Sequence, residues 1–148
     1  MFRIPKFKLQ LVREGSDLYE TKQISCSSDA AKIVYGNLKD KDRECIVALL
    51  LDVKNKVIGT NLVSMGSLTA SVGHPREIFK AAILANAACI ILGHNHPSGD
   101  THPSRDDDSF TKEIEQAGRF LQIPLLDHII VGYSEYSYYS YKEEKRLK

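Results

Sequence analysis

Hydrophobic and polar positions divide this chain into short segments of two different periods. Phe7 to Val12 (FKLQLV) alternates apolar and polar residues, which predicts a strand with one buried face. Ser27-Ser28-Asp29 offers an N-cap ahead of a short helix from Ala30 to Leu38, with Ile33 and Val34 inward and Gly36-Asn37 weakening its end. Cys45 to Leu51 (CIVALLL) is continuously apolar, as a strand buried on both faces would be. The polar turn Asp52 to Lys56 returns the chain into a second strand, Val57 to Val63. Pro75 opens the next helix at a first-turn position, where its missing N–H costs nothing, and Ile78, Phe79, Ala82 and Ile83 keep helical spacing.

Cys89 to Leu92 (CIIL) is a further buried strand, running into the Gly- and Pro-rich loop Gly93 to Asp100. Ser104 caps a helix whose first turn carries Asp106 and Asp107, where the helix dipole favours acids. The apolar positions Phe110, Ile114, Ala117 and Phe120-Leu121 continue it. Pro124 to Val131 reads as a last buried strand, Glu135 to Tyr141 as an aromatic edge strand, and Lys142 to Lys148 as a solvated charged tail. Strands alternating with helices predict an α/β class with at least one antiparallel pair. No internal repeat or linker interrupts the pattern, so the expectation is one domain over residues 1–148.

Composition narrows the function classes. The apolar and charged fractions, 43% and 26%, are those of an ordinary globular protein, and no apolar run approaches the ~20 residues of a membrane span. Neither a secretory signal nor a membrane partner is expected. Three cysteines without CxxC spacing, two of them in apolar runs, favour buried thiols and a cytoplasmic setting. Twenty Lys and Arg against 19 acids give a net charge of +1, so DNA stays open as a partner without support from charge.

Candidate chemistry lies at His94-Asn95-His96. Side chains two apart on an extended segment point the same way, so both imidazoles can converge on one cation. The loop from Pro97 to Pro103 is long enough to double back and present Asp107 from the next helix. Two histidines and one carboxylate leave a fourth tetrahedral position vacant, as in catalytic zinc sites. A water held there has a pKa near 7 and supplies a hydroxide nucleophile at neutral pH. The general base is left open among Glu44, Glu77, Glu113 and Glu115; Glu44 stands out because it leads directly into CIVALLL.

Glu44, then His94-x-His96, then Ser104-x-x-Asp107 resembles the JAB/MPN (JAMM) metalloprotease signature. With His74-Pro75-Arg76-Glu77, His94-Asn95-His96-Pro97-Ser98-Gly99-Asp100 and Asp127-His128-Ile129-Ile130-Val131, the chain from Ser27 to Tyr141 is similar to the RadC family. The resemblance implies a cytidine-deaminase-like three-layer α/β fold with a mixed sheet. It also implies Zn2+ on His94, His96 and Asp107, with Glu44 as general acid/base and Ser104 stabilising the oxyanion. The implied activity is a zinc-dependent metallopeptidase or isopeptidase acting on a peptide or protein substrate. The family's traditional label implies the alternative, a DNA-repair or DNA-processing accessory protein whose metal site is not proteolytic. About 25 residues precede the similar region, too few for the helix-hairpin-helix module that such proteins commonly carry, so none is expected. Deamination is disfavoured, because its signature needs H-x-E and a later P-C-x-x-C. A homo-oligomer stays open. His102 reads as a loop histidine, Asp127-His128 as structural or as support for a ligand, and the tyrosines after Gly132 as an edge strand with one packed face.

Overall fold

The structure is a computed structural model that describes residues 1–65 and 74–148. Its elements are α1 (Ser27–Leu38), β1 (Cys45–Leu51), β2 (Val57–Met65), α2 (Pro75–Leu84), β3 (Cys89–Asn95), α3 (Arg105–Leu121), β4 (Leu125–Val131) and β5 (Tyr138–Ser140). The strands form one sheet of order β2-β1-β3-β4-β5, in which β3 and β4 are parallel and the other neighbours antiparallel. The sheet is therefore mixed, as expected.

Every residue of β1 and β3 is buried, which explains why their sequences run apolar without alternation. Odd and even positions still part company. Val47, Leu49, Leu51 and Ile91 pack with α1 through Ala30, Ile33, Val34 and Leu38. Ile46, Ala48, Leu50, Ile90 and Leu92 pack on the opposite face with Ile78, Phe79, Phe110 and Ile114 of α2 and α3. Helix, sheet and helix pair make three layers. Gly93 marks the tightest contact with α1: a Cβ there would lie 2.3 Å from Val34 Cγ1. The next residue, His94, falls on the α2/α3 face by strand alternation.

The β3–α3–β4 crossover brings the C-terminal end of β3 next to the N-terminus of α3, the place where open α/β sheets put ligands. A bulge sets the phase of β4: Ile90 pairs with Leu125 but Ile91 with Asp127, leaving Leu126 unopposed. Shifting a strand by one residue exchanges its faces. After the bulge, Asp127 meets Ser27 of α1 on one side and His128 meets Thr111 of α3 on the other.

Several sequence expectations change. Phe7–Val12 forms no strand and its apolar side chains are exposed; alternation alone does not suffice without a neighbouring strand to complete the ladder. Helix α1 begins at Ser27, three residues earlier than read, because Asp29 accepts from the Ser25 and Cys26 amides (2.9 and 3.2 Å). Strand β3 runs on through Asn95, so His94 sits in the sheet and not in the following loop. Strand β5 is shortened because Ser137 turns back onto Ser134 and Gly132. Ile83, Phe120 and Leu121 point outward at the helix ends. The C-terminal segment is anchored: Arg146 pairs with Asp108, and the Lys148 amide donates to Glu115 at 2.6 Å. All three cysteines are free, with Cys45 and Cys89 buried as expected and Cys26 exposed. No described helix is long and apolar enough to cross a membrane.

Candidate metal centre

Three side chains, His94, His96 and Asp107, close into a small group where β3 meets α3. His94 Nε2 and His96 Nε2 are 3.0 Å apart. Asp107 places Oδ1 3.2 Å from His94 Nε2 and Oδ2 3.1 Å from His96 Nε2. Donors around a tetrahedral zinc with bonds of about 2.0 Å are separated by roughly 3.3 Å, close to the spacing of the two imidazole nitrogens and of each nitrogen from its nearer carboxylate oxygen. Glu44 completes the group from the start of β1, with Oε1 3.9 Å from both imidazole nitrogens. That longer spacing places Glu44 beside the other three.

The backbone explains why these groups meet. His94 lies buried one residue before the end of β3, His96 follows on the same side, and α3 delivers Asp107 at its third position. Ser104 is the N-cap: its Oγ accepts the Asp107 amide at 3.0 Å, and its own amide donates to Asp107 Oδ2 at 2.8 Å. One carboxylate thus closes the capping box and faces both histidines. Asn95, between them, points away and grips the chain around Glu44. Its Oδ1 accepts the Cys45 amide at 2.8 Å and its Nδ2 donates to the Arg43 carbonyl at 3.0 Å. The side-chain amide extends the β1–β3 ladder by one rung and fixes the height of Glu44.

Burial is graded. His94 and Asp107 are 0% and 1% exposed, while His96 and Glu44 are 16% and 21% exposed. Solvent or a substrate therefore reaches the site from the His96–Glu44 side. Burial pushes the Asp107 carboxyl up, but the facing His94 and His96 rings and the Ser104 amide outweigh this and hold it well below the ordinary carboxylate range. Hydrogen bonding to Asp107 raises His96 above the usual histidine value. Burial and the neighbouring His94 keep His128 well below it.

A cation must displace the proton that Asp107 helps His96 to hold. Affinity is expected to fall as pH drops, beginning above the ordinary histidine pKa of about 6.5 and approaching tenfold per pH unit for one displaced proton. Calorimetric titrations in buffers of different ionisation enthalpy between pH 6 and 8 measure that proton directly; a flat affinity would remove His96 from the donor set.

All the predicted ligands, with Glu44 and Ser104, lie at this one place. The other candidate acids do not: Glu77 pairs with Lys80 at 2.8 Å, Glu115 with Arg119 at 3.2 Å, and Glu113 is exposed. His102 is exposed and its ring lies 6.4 Å from that of Tyr139. Asp127 and His128 serve different faces. The Asp127 carboxylate accepts from Ser27, Ser140 and the His128 and Lys142 amides, while the His128 ring joins His94. Tyr141 stacks on His128 at 5.1 Å, and the Tyr133 hydroxyl donates to the Pro97 carbonyl in the loop after His96. Thr111 and the amide of Asn95 were not picked out from sequence. Thr111 had one readable signal, its place one helical turn after Asp107.

A family model described as RadC-like JAB domain matches residues 24–146. A UPF0758 protein of Desulforamulus reducens is 48% identical over 114 residues, 77% of this chain and 50% of its own length. One from Methanosarcina mazei is 41% identical over 127 residues, 86% of this chain and 55% of its own. One from Geobacillus thermodenitrificans is 49% identical over 109 residues, 74% of this chain and 48% of its own. The chain spans about half the length of the curated relatives it matches.

Proposed function

The chain belongs to the RadC-like JAB domain family, and from that premise we propose that it is a zinc-dependent hydrolase of amide bonds, a metallopeptidase or isopeptidase. The carrying observation is the His94–His96–Asp107 triangle with Glu44 beside its open side. Two imidazole nitrogens and a carboxylate form a donor set that suits zinc. A zinc ion in that triangle would lower the pKa of a coordinated water to about 7 and polarise a substrate carbonyl.

The residues supply the rest. Glu44 takes the proton of the attacking water on Oε1 and returns it to the leaving nitrogen, the acid/base exchange that amide hydrolysis requires. Ser104 spends a lone pair on the Asp107 amide, so its hydroxyl proton remains to be donated to a developing oxyanion. The positive end of the α3 dipole favours the same charge. A peptide or protein segment is the substrate class, approaching from the His96–Glu44 side.

Metal content tests this reading. Protein purified at neutral pH is expected to carry about one zinc per chain by elemental mass spectrometry, or to take up one on titration after chelation. No bound zinc and no uptake would overturn it.

A further inference from the structure

We propose that Thr111 and His128 are positioning residues that select the tautomer of His94, leaving its Nε2 lone pair free for the cation. This rests on the metal-site reading above and adds residues that never touch the ion.

The proton order follows from the one group that can only accept. The Asp107 carbonyl oxygen lies 2.6 Å from Thr111 Oγ1, so the threonine spends its single proton there. Thr111 Oγ1 also lies 2.6 Å from His128 Nδ1 and has only a lone pair left for it; His128 therefore carries its proton on Nδ1. In the neutral, fully buried ring, Nε2 is then an acceptor. It lies 2.7 Å from His94 Nδ1, which must donate. A neutral His94 holding its proton on Nδ1 turns a bare Nε2 toward Asp107 and His96.

His96 reaches the same state in one step, because its Nδ1 lies 2.7 Å from the Asp100 carbonyl. Metal-binding histidines usually have such a carbonyl, carboxylate or water behind them. His94, at the sheet centre, faces the β4 side chain His128, which can donate or accept. Some other group must decide which, and Thr111 does. The relay begins at the backbone of Asp107, whose carboxylate stands on the other side of His94, so one turn of α3 orients the imidazole from both ends.

Long-range 1H–15N NMR of the metal-free wild-type chain at about pH 8, where a histidine of ordinary pKa is neutral, reads the tautomers directly. His94 and His128 are both expected as Nδ1–H. Thr111→Val removes the hydroxyl and keeps the shape; His128 is then released to donate from Nε2, and the Nε2–H form of His94 should appear. Zinc affinity should fall by about 10–100-fold, the usual cost of losing outer support. Thr111→Ser should restore both the spectrum and the affinity. A wild-type His94 protonated on Nε2 would overturn the proposal, as would a Thr111→Val protein with unchanged tautomer and affinity. The wild-type spectrum decides even if Thr111→Val does not fold. Failure to bind zinc would sink the hydrolase reading while leaving the tautomer result intact.

Discussion

On the proposed hydrolase reading, Glu44→Gln is expected to keep zinc binding and lose about 10²–10⁴-fold in hydrolytic turnover, the usual worth of a positioned general base. The expectation separates binding from proton transfer. Glu44 Oε1 stands 3.9 Å from both imidazole nitrogens, whereas those nitrogens stand 3.0 Å from each other and 3.1–3.2 Å from the nearer Asp107 oxygen. Removing its charge leaves the triangle complete. Glutamine preserves the volume and one oxygen, and Asn95 still holds the flanking peptides, so the substituted side chain stays where the carboxylate was. What it lacks is a basic oxygen. Metal content by elemental mass spectrometry and cleavage of a peptide mixture, followed by mass spectrometry, measure the two effects in parallel. Retained turnover would assign the base elsewhere. Lost metal would make Glu44 a ligand.

Much of this centre is legible in the sequence, and for particular reasons. His94 and His96 are two apart, Asp107 is three after an N-cap serine, and both spacings fix direction locally. Strands β1 and β3 announced themselves by unbroken apolar runs, because a central strand buries both faces. Residue pattern alone leaves Glu44, Glu77, Glu113 and Glu115 open and only the family resemblance decides for Glu44, because what brings it to the site is the register of β1 against β3, which pairs Ile46 with His94 and is a non-local fact. The His128 relay was hidden for the same reason. Its face depends on the bulge at Leu126, and sequence spacing alone would have grouped it with Asp127, which serves α1. Phe7–Val12 failed in the opposite direction. Its alternation is local, but a strand also needs a partner along its edge.

Asp107 carries two duties, and a pair of substitutions should pull them apart. On the proposed reading, Asp107→Ala and Asp107→Asn are both expected to weaken zinc by more than the ~100-fold cost of losing outer support, since each removes the charged member of the donor set. Their stabilities should differ. Asparagine keeps an oxygen that can accept the Ser104 amide, now held at 2.8 Å, so the cap of α3 survives. Alanine leaves that amide without its acceptor, while Ser104 Oγ still accepts the amide of residue 107, so the variant loses one hydrogen bond of the capping box, worth about 0.5–1.5 kcal/mol. For a chain of this size that is a few degrees of melting temperature, roughly 2–4 °C per kcal/mol.

A further contribution depends on pH. The folded carboxyl titrates below its ordinary value, so its stabilisation is present above about pH 4 and lost as pH falls below that. The proton on His96 is held above its ordinary value, so that contribution is present below about pH 6.5 and lost as pH rises through the raised folded value. In metal-free protein, the gap between wild type and Asp107→Asn should therefore be widest between about pH 4 and 6.5 and narrow on either side. Thermal melts of the three chelated proteins across that range measure it. A gap independent of pH would mean that Asp107 and His96 share no proton, and equal melting of the Asn and Ala variants would mean that the bond from the Ser104 amide to the side chain at 107 contributes nothing.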